Sequence, residues 1–170
     1  MNIKEAILKS IEYEKRVREV YELARDKSSD PVGRKIFSLL AHEEAGHIAY
    51  LNDKLKELEE NGRVRADDLS TGLPDADAIR CEVVKLKKRM QNGDLDEEVD
   101  MLKKARDVEF ETSSFYKRMA SELGPGGQEL FSRFVEIEEG HLSLVQAEID
   151  SLTGSGYWFD MKEFDIESGY

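Results

Sequence analysis

The sequence predicts an all-α protein: a four-helix bundle with a long crossover between helices 2 and 3. Three observations carry this expectation. Apolar residues recur at the 3.6-residue spacing of an amphipathic helix in four separate stretches. The three prolines, Pro31, Pro74 and Pro125, fall at the edges of those stretches or between them. The connections alternate short, long, short, which pairs the first helix with the second and the third with the fourth.

The first stretch runs from about Ile3 to Arg25, with Ile3, Ile7, Ile11, Val17, Tyr21 and Ala24 on one face. Ser28-Ser29-Asp30-Pro31 interrupts it, and a polar residue followed by proline is a helix start signal. The second runs from about Pro31 to Glu60, with Ile36, Leu40, Ile48, Leu51, Leu55 and Leu58, and Asn61-Gly62 is a suitable C-cap. Residues 63–95 are too long for a tight turn and form the crossover. Their own weaker pattern, Ile79, Val83, Leu86 and Met90, predicts a short helix within it. The third stretch runs from about Asp96 to Leu123, with Leu102, Ala105, Val108, Thr112, Phe115 and Met119. Asp94 or Asp96 can cap it, and Glu97 and Glu98 suit the positive end of its dipole. Gly124-Pro125-Gly126-Gly127 breaks the pattern, and the fourth stretch runs from about Gln128 to Leu152. Its apolar positions are Leu130, Phe134, Ile137, Leu142, Val145 and Ile149. Residues 1–153 thus read as one bundle. The aromatic tail 154–170, with Tyr157-Trp158-Phe159, is expected to pack on it or on a partner subunit.

Composition narrows the function. A chain of 170 residues is about one domain. Its 37 acidic against 25 basic residues give a net charge of −12, which argues against nucleic acid and anionic membranes as partners. No apolar run approaches the roughly 20 residues that span a bilayer, and the first residues lack a signal-peptide core. The expectation is a cytoplasmic protein. The single cysteine, Cys81, excludes an internal disulfide and any Cys-x-x-Cys pair, and is expected to be a small buried apolar residue.

Some acids lie where a core should be. Glu14 falls in the stripe of Ile7, Ile11 and Tyr21, and Glu109 in that of Leu102, Ala105 and Tyr116. A buried carboxylate needs a partner or a metal. The second and fourth helices each carry Glu-x-x-His, as Glu44-Ala45-Gly46-His47 and Glu138-Glu139-Gly140-His141, and residues three apart on a helix can reach one point. The two halves also repeat. Phe37 and Phe131, Glu44 and Glu138, and His47 and His141 are each 94 residues apart, while Glu14-x6-Tyr21 and Glu109-x6-Tyr116 are offset by 95. A helix hairpin used twice would bring four carboxylates and two imidazoles to one centre. That is the ligand set of a di-iron or di-manganese carboxylate site, and it suits Fe or Mn better than tetrahedral zinc. Glu12, Glu43, Glu111 and Glu139 are expected on solvated faces, and His42 at the surface or beside the ligands.

These motifs resemble the rubrerythrin-type ferritin-like proteins over essentially residues 1–153. The resemblance implies that Glu14, Glu44, His47, Glu109, Glu138 and His141 bind two Fe ions, with Mn or Zn as possible substitutes. Glu44 and Glu138 would bridge the metals, and Glu14 and Glu109 would bind one each. Tyr21 and Tyr116 would donate hydrogen bonds to carboxylates across the bundle. Thr112 stands beside the site where the family usually has an additional Glu, which makes this site more symmetric and closer to bacterioferritins and related oxidases. A haem is not expected, because Ala45 follows Glu44 where the haem-binding family uses Met. The rubredoxin domain of full-length rubrerythrins needs two Cys-x-x-Cys pairs, which this chain lacks. The implied function is an oxidoreductase acting on hydrogen peroxide or dioxygen as a homodimer, with electrons from a separate rubredoxin-type donor. The alternative is a ferroxidase or iron-storage role.

Overall fold

The computed structural model describes residues 1–28, 31–66, 69 and 96–153. They form four helices and no strand: α1 (Ile3–Lys27), α2 (Pro31–Asn61), α3 (Asp96–Glu122) and α4 (Pro125–Thr153). Most of the expected crossover, including the short helix around Ile79–Met90 and Cys81, lies outside the described residues, as does the tail 154–170. No helix among the described residues is long and apolar enough to cross a membrane.

Local chemistry sets the helix ends. Asn2 caps α1: its side-chain oxygen accepts from the Glu5 amide at 2.9 Å, and the Glu5 carboxylate accepts from the Asn2 amide at 3.0 Å. This reciprocal pair satisfies two of the amide donors left over where a helix begins. Arg25 and Lys27 in the last turn suit its negative dipole end. α2 stops at Gly62, whose φ of 68° lies in the left-handed region and whose N–H donates to the Leu58 carbonyl at 2.9 Å. α4 starts three residues before the expected Gln128, at Pro125. Proline is tolerated in a first helical turn because its missing N–H would have no partner there. The Gln128 amide already donates to the Gly124 carbonyl at 2.8 Å. Gly127 is required by space, since a Cβ there would lie 2.8 Å from Leu123 Cβ across the α3–α4 turn.

α1 packs on α2, α3 on α4, and α1 on α3. Lys4 in the first turn of α1 pairs with Glu59 near the end of α2 at 2.7 Å, so the first hairpin is antiparallel. Tyr21 meets Glu109 while Glu14 meets Tyr116, so α1 and α3 also run in opposite directions. The core divides into two apolar clusters. One includes Val17, Tyr21, Phe37, Leu40, Leu102 and Val145. The other includes Ile7, Ile11, Leu51, Tyr116, Phe131 and Phe134. On every helix the two clusters leave a gap, and that gap holds Glu14 on α1, Glu44 and His47 on α2, Glu109 on α3, and Glu138 and His141 on α4. The bundle is therefore an apolar core interrupted at mid-height by one buried polar layer.

Gly46 and Gly140 are exposed in the middle of α2 and α4, and a Cβ at either would meet nothing within 4 Å. A helix-interior glycine costs roughly 0.5–1 kcal/mol relative to alanine. Gly46→Ala and Gly140→Ala should each add about that much stability, raising the thermal midpoint by about 1–4 °C when unfolding is followed by circular dichroism. A lower midpoint in either variant would show that the position is packed in solution.

Candidate metal centre

The layer brings together all six residues expected as ligands. Glu14, Glu44, Glu109, Glu138 and His141 have no exposed surface, and His47 is 2% exposed. Two half-sites are visible in the distances. His47 Nδ1 lies 3.1 Å from Glu14 Oε2, 3.3 Å from Glu44 Oε2 and 3.7 Å from Glu138 Oε1. His141 Nδ1 lies 2.9 Å from Glu44 Oε1, 3.6 Å from Glu109 Oε1 and 4.0 Å from Glu138 Oε2. Glu44 and Glu138 therefore each turn one oxygen towards either histidine, whereas Glu14 and Glu109 each belong to one half. The imidazole rings are nearly parallel, 14° apart with centroids separated by 5.4 Å.

Each outer carboxylate is held by a tyrosine from the opposite hairpin. Tyr116 on α3 donates its hydroxyl to Glu14 on α1, and Tyr21 on α1 donates to Glu109 on α3. Both phenols are fully buried. Burial and the nearby carboxylates push their pKa values well up, so they remain neutral donors. Thr112 is buried beside the layer, but its hydroxyl turns back to donate to the Val108 carbonyl at 2.9 Å. It makes no hydrogen bond to the carboxylates among the described residues.

Charge compensation is the open question of the site. Among the described residues the four carboxylates have only one another, the two histidines and the two tyrosines as partners. Glu44 Oε1, Glu109 Oε2, both oxygens of Glu138 and both ring nitrogens of His141 are buried without a hydrogen bond. His141 Nδ1 and Glu44 Oε1 lie 2.9 Å apart yet are not aligned as donor and acceptor. Lone-pair atoms that converge without hydrogen bonding are suited to a shared cation. Two groups, Glu14–Glu44–His47–Glu138 and Glu44–Glu109–His141, each offer ligand atoms within 4.8 Å of one another. The buried Glu and His donors could therefore hold a metal ion.

Without a metal, protons take the compensating role. Burial raises the Glu14 carboxyl to about 8, with the Glu44 charge adding to the shift. Burial, reinforced by Glu14, Glu109 and Glu44, lifts Glu138 well above the usual carboxylate range. Burial would raise Glu44 too, but hydrogen bonding from Glu14 and the attraction of His141 and His47 hold it below that range. Burial disfavours a charged His47, yet Glu14 and Glu44 outweigh it and raise the ring to about 10. His141 is raised well above its ordinary value against the same opposition, chiefly by Glu44 and Glu109.

The surrounding acids divide. Glu12, Glu111 and Glu139 sit on exposed faces, paired with Lys9, Arg16 and Lys117 at 2.6, 2.8 and 3.0 Å. His42 is exposed as well. Glu43 is the correction: it is only 8% exposed and groups with His47 and His141 rather than with solvent. The repeat carried the signal for this, because position 43 aligns with Ile137, an apolar register in the second hairpin. No family model, curated protein or solved structure matches the chain.

The pKa shifts set a pH dependence. Glu14 holds its proton more tightly folded than unfolded, so its stabilisation is complete below 4.5 and is lost as pH rises through about 8. His47 behaves the same way between 6.5 and about 10. Glu44 is shifted the opposite way, and its contribution changes only below 4.5. Chelator-treated protein should thus melt at progressively lower temperature from about pH 5 to about pH 10, while metal uptake strengthens with release of protons. A flat melting profile across that range would contradict the protonated layer.

Proposed function

We propose that the chain is a di-iron carboxylate oxidoreductase of the rubrerythrin-like, ferritin-like type that acts on hydrogen peroxide or dioxygen. One observation carries the reading: Glu44 and Glu138 divide their oxygens between two half-sites, each completed by one histidine and one outer glutamate. Mononuclear sites have no use for two carboxylates split in this way. The helix directions support the ferritin-like topology. Since α1 is antiparallel to both α2 and α3, the connection between α2 and α3 must begin at one end of the bundle and finish at the other.

When bound, a pair of iron ions supplies two-electron redox chemistry towards an O–O bond. The chain contributes position and environment. Glu44 and Glu138 hold the two halves at a common separation, and His47 and His141 add one neutral nitrogen to each. Tyr116 and Tyr21 fix the orientation of Glu14 and Glu109 by hydrogen bonds from neutral phenols. Phe134, Tyr116 and Phe131 pack ring against ring beside the layer and keep water from that end. His47 stands edge-on to Phe134, with centroids 5.6 Å apart, so the ring is braced by packing as well as by its ligand role. These 170 residues hold one cysteine, so in this reading the electrons reach the bundle from a centre or reductant outside them. The working assembly in this reading is a homodimer in the cytoplasm.

The net charge of −12 favours a second reading, ferroxidase activity with iron storage or delivery, because an acidic surface attracts ferrous ions. Gel filtration separates the two: a 24-subunit shell supports storage, and a dimer supports redox turnover. The central test is anaerobic ferrous titration of wild type, Glu44→Ala and Glu138→Ala, followed by addition of peroxide or air. Wild type should take up two irons per chain and turn over oxidant. Each variant should lose the paired stoichiometry and the turnover. Unchanged iron binding in both variants would overturn the proposal.

A further inference from the structure

The two histidines face the carboxylate layer through Nδ1. Their other nitrogen, Nε2, is buried in both rings and has no hydrogen-bond partner among the described residues. An imidazole that ligates through Nδ1 must carry its proton on Nε2, and ligating histidines almost always give that proton to an acceptor that fixes tautomer and ring orientation. Among the described residues, Glu43 is a candidate acceptor close to both rings. Glu43 precedes His47 by four residues and so shares its helix face. It is 8% exposed, and one of its oxygens lies with one nitrogen of each histidine in a group no wider than 4.8 Å. Because the rings stack almost parallel, one carboxylate can serve both.

We propose that Glu43 is a positioning residue shared by the two halves of the centre, whose carboxylate receives the Nε2–H of His47 and of His141 and thereby aims both Nδ1 lone pairs at the metal pair. The proposal rests on the metal-centre reading above. The proposal requires the Glu43 carboxylate to turn towards the two Nε2 atoms, or one water to bridge them. The residue also breaks the internal symmetry. Its counterpart in the second hairpin is Ile137, which cannot accept a hydrogen bond. A symmetric centre would need one acceptor per histidine. Here a single side chain on α2 does both, and the stacking of the rings is what permits it.

The test uses the full chain as wild type, Glu43→Gln, Glu43→Ile and Glu43→Ala, titrated anaerobically with Co(II) and with Fe(II), with the visible absorption of bound Co(II) as the reporter of ligand geometry. Glu43→Ile copies the second hairpin, and Glu43→Ala removes the acceptor without added bulk should the larger residue impair folding. Circular dichroism checks that each variant is folded. Glu43→Gln keeps an acceptor oxygen and should retain near wild-type affinity and spectrum. Glu43→Ile and Glu43→Ala should bind about 10–100-fold more weakly and shift the Co(II) bands. If both load with wild-type affinity and spectrum, the positioning role is overturned while the metal centre stands. A wild-type protein that takes up neither ion overturns the metal centre and this role with it. A third Co(II) equivalent that is lost in Glu43→Ala while the first two are kept would make Glu43 a ligand and overturn its role as acceptor.

Discussion

Four carboxylates crowded at zero exposure in the middle of a helical bundle impose the constraint on which the rest of this molecule depends. Burying one unpaired carboxylate is costly, and burying four that repel one another costs more. Such a layer persists only if positive charge, as protons or cations, arrives with it. The chain brings two imidazoles and two phenols into contact with the carboxylates and no lysine or arginine among the described residues. Phenols donate hydrogen bonds but carry no positive charge. The remaining compensation must be mobile, and a site whose compensation is mobile can exchange protons for metal ions.

The apolar clusters above and below give the layer its rigidity. Each is built from all four helices, so shifting one helix would disturb packing at both ends. The tyrosines add a second tie. Because each reaches from one hairpin to the outer glutamate of the other, the two halves of the sequence are held together by the same groups that orient those carboxylates. Stability and site geometry are thus coupled at Tyr21 and Tyr116.

The duplication explains both the regularity of the centre and its one departure from symmetry. Two copies of a hairpin motif supply paired carboxylates and histidines to one layer. The copies have nevertheless diverged at position 43, where one half carries Glu and the other Ile137. The acid survives at low exposure in a register that suits an apolar residue. The histidine pair is one polar feature grouped with it.

Much was legible in the chain itself. Helical periodicity marked four helices, and the expected ends lie within two residues of the observed ones except at the start of α4, which proline opens three residues early at Pro125. Glu14, Glu44, His47, Glu109, Glu138 and His141 could be named because spacing on a helix translates directly into a shared face, and the repeat showed which acids belonged together. Helical spacing says nothing about distance across helices. That Glu44 and Glu138 lie between two halves and that each tyrosine reaches across the bundle was implied by the family resemblance, not by spacing, and the tertiary structure gave the distances. Only the tertiary structure decided that Thr112 turns back to its own backbone and that Glu43 is buried beside the histidines. The reason is physical. A residue's face follows from its own helix, whereas its burial and partners depend on how closely a neighbouring helix approaches, and that approach is set by the packing of both cores together.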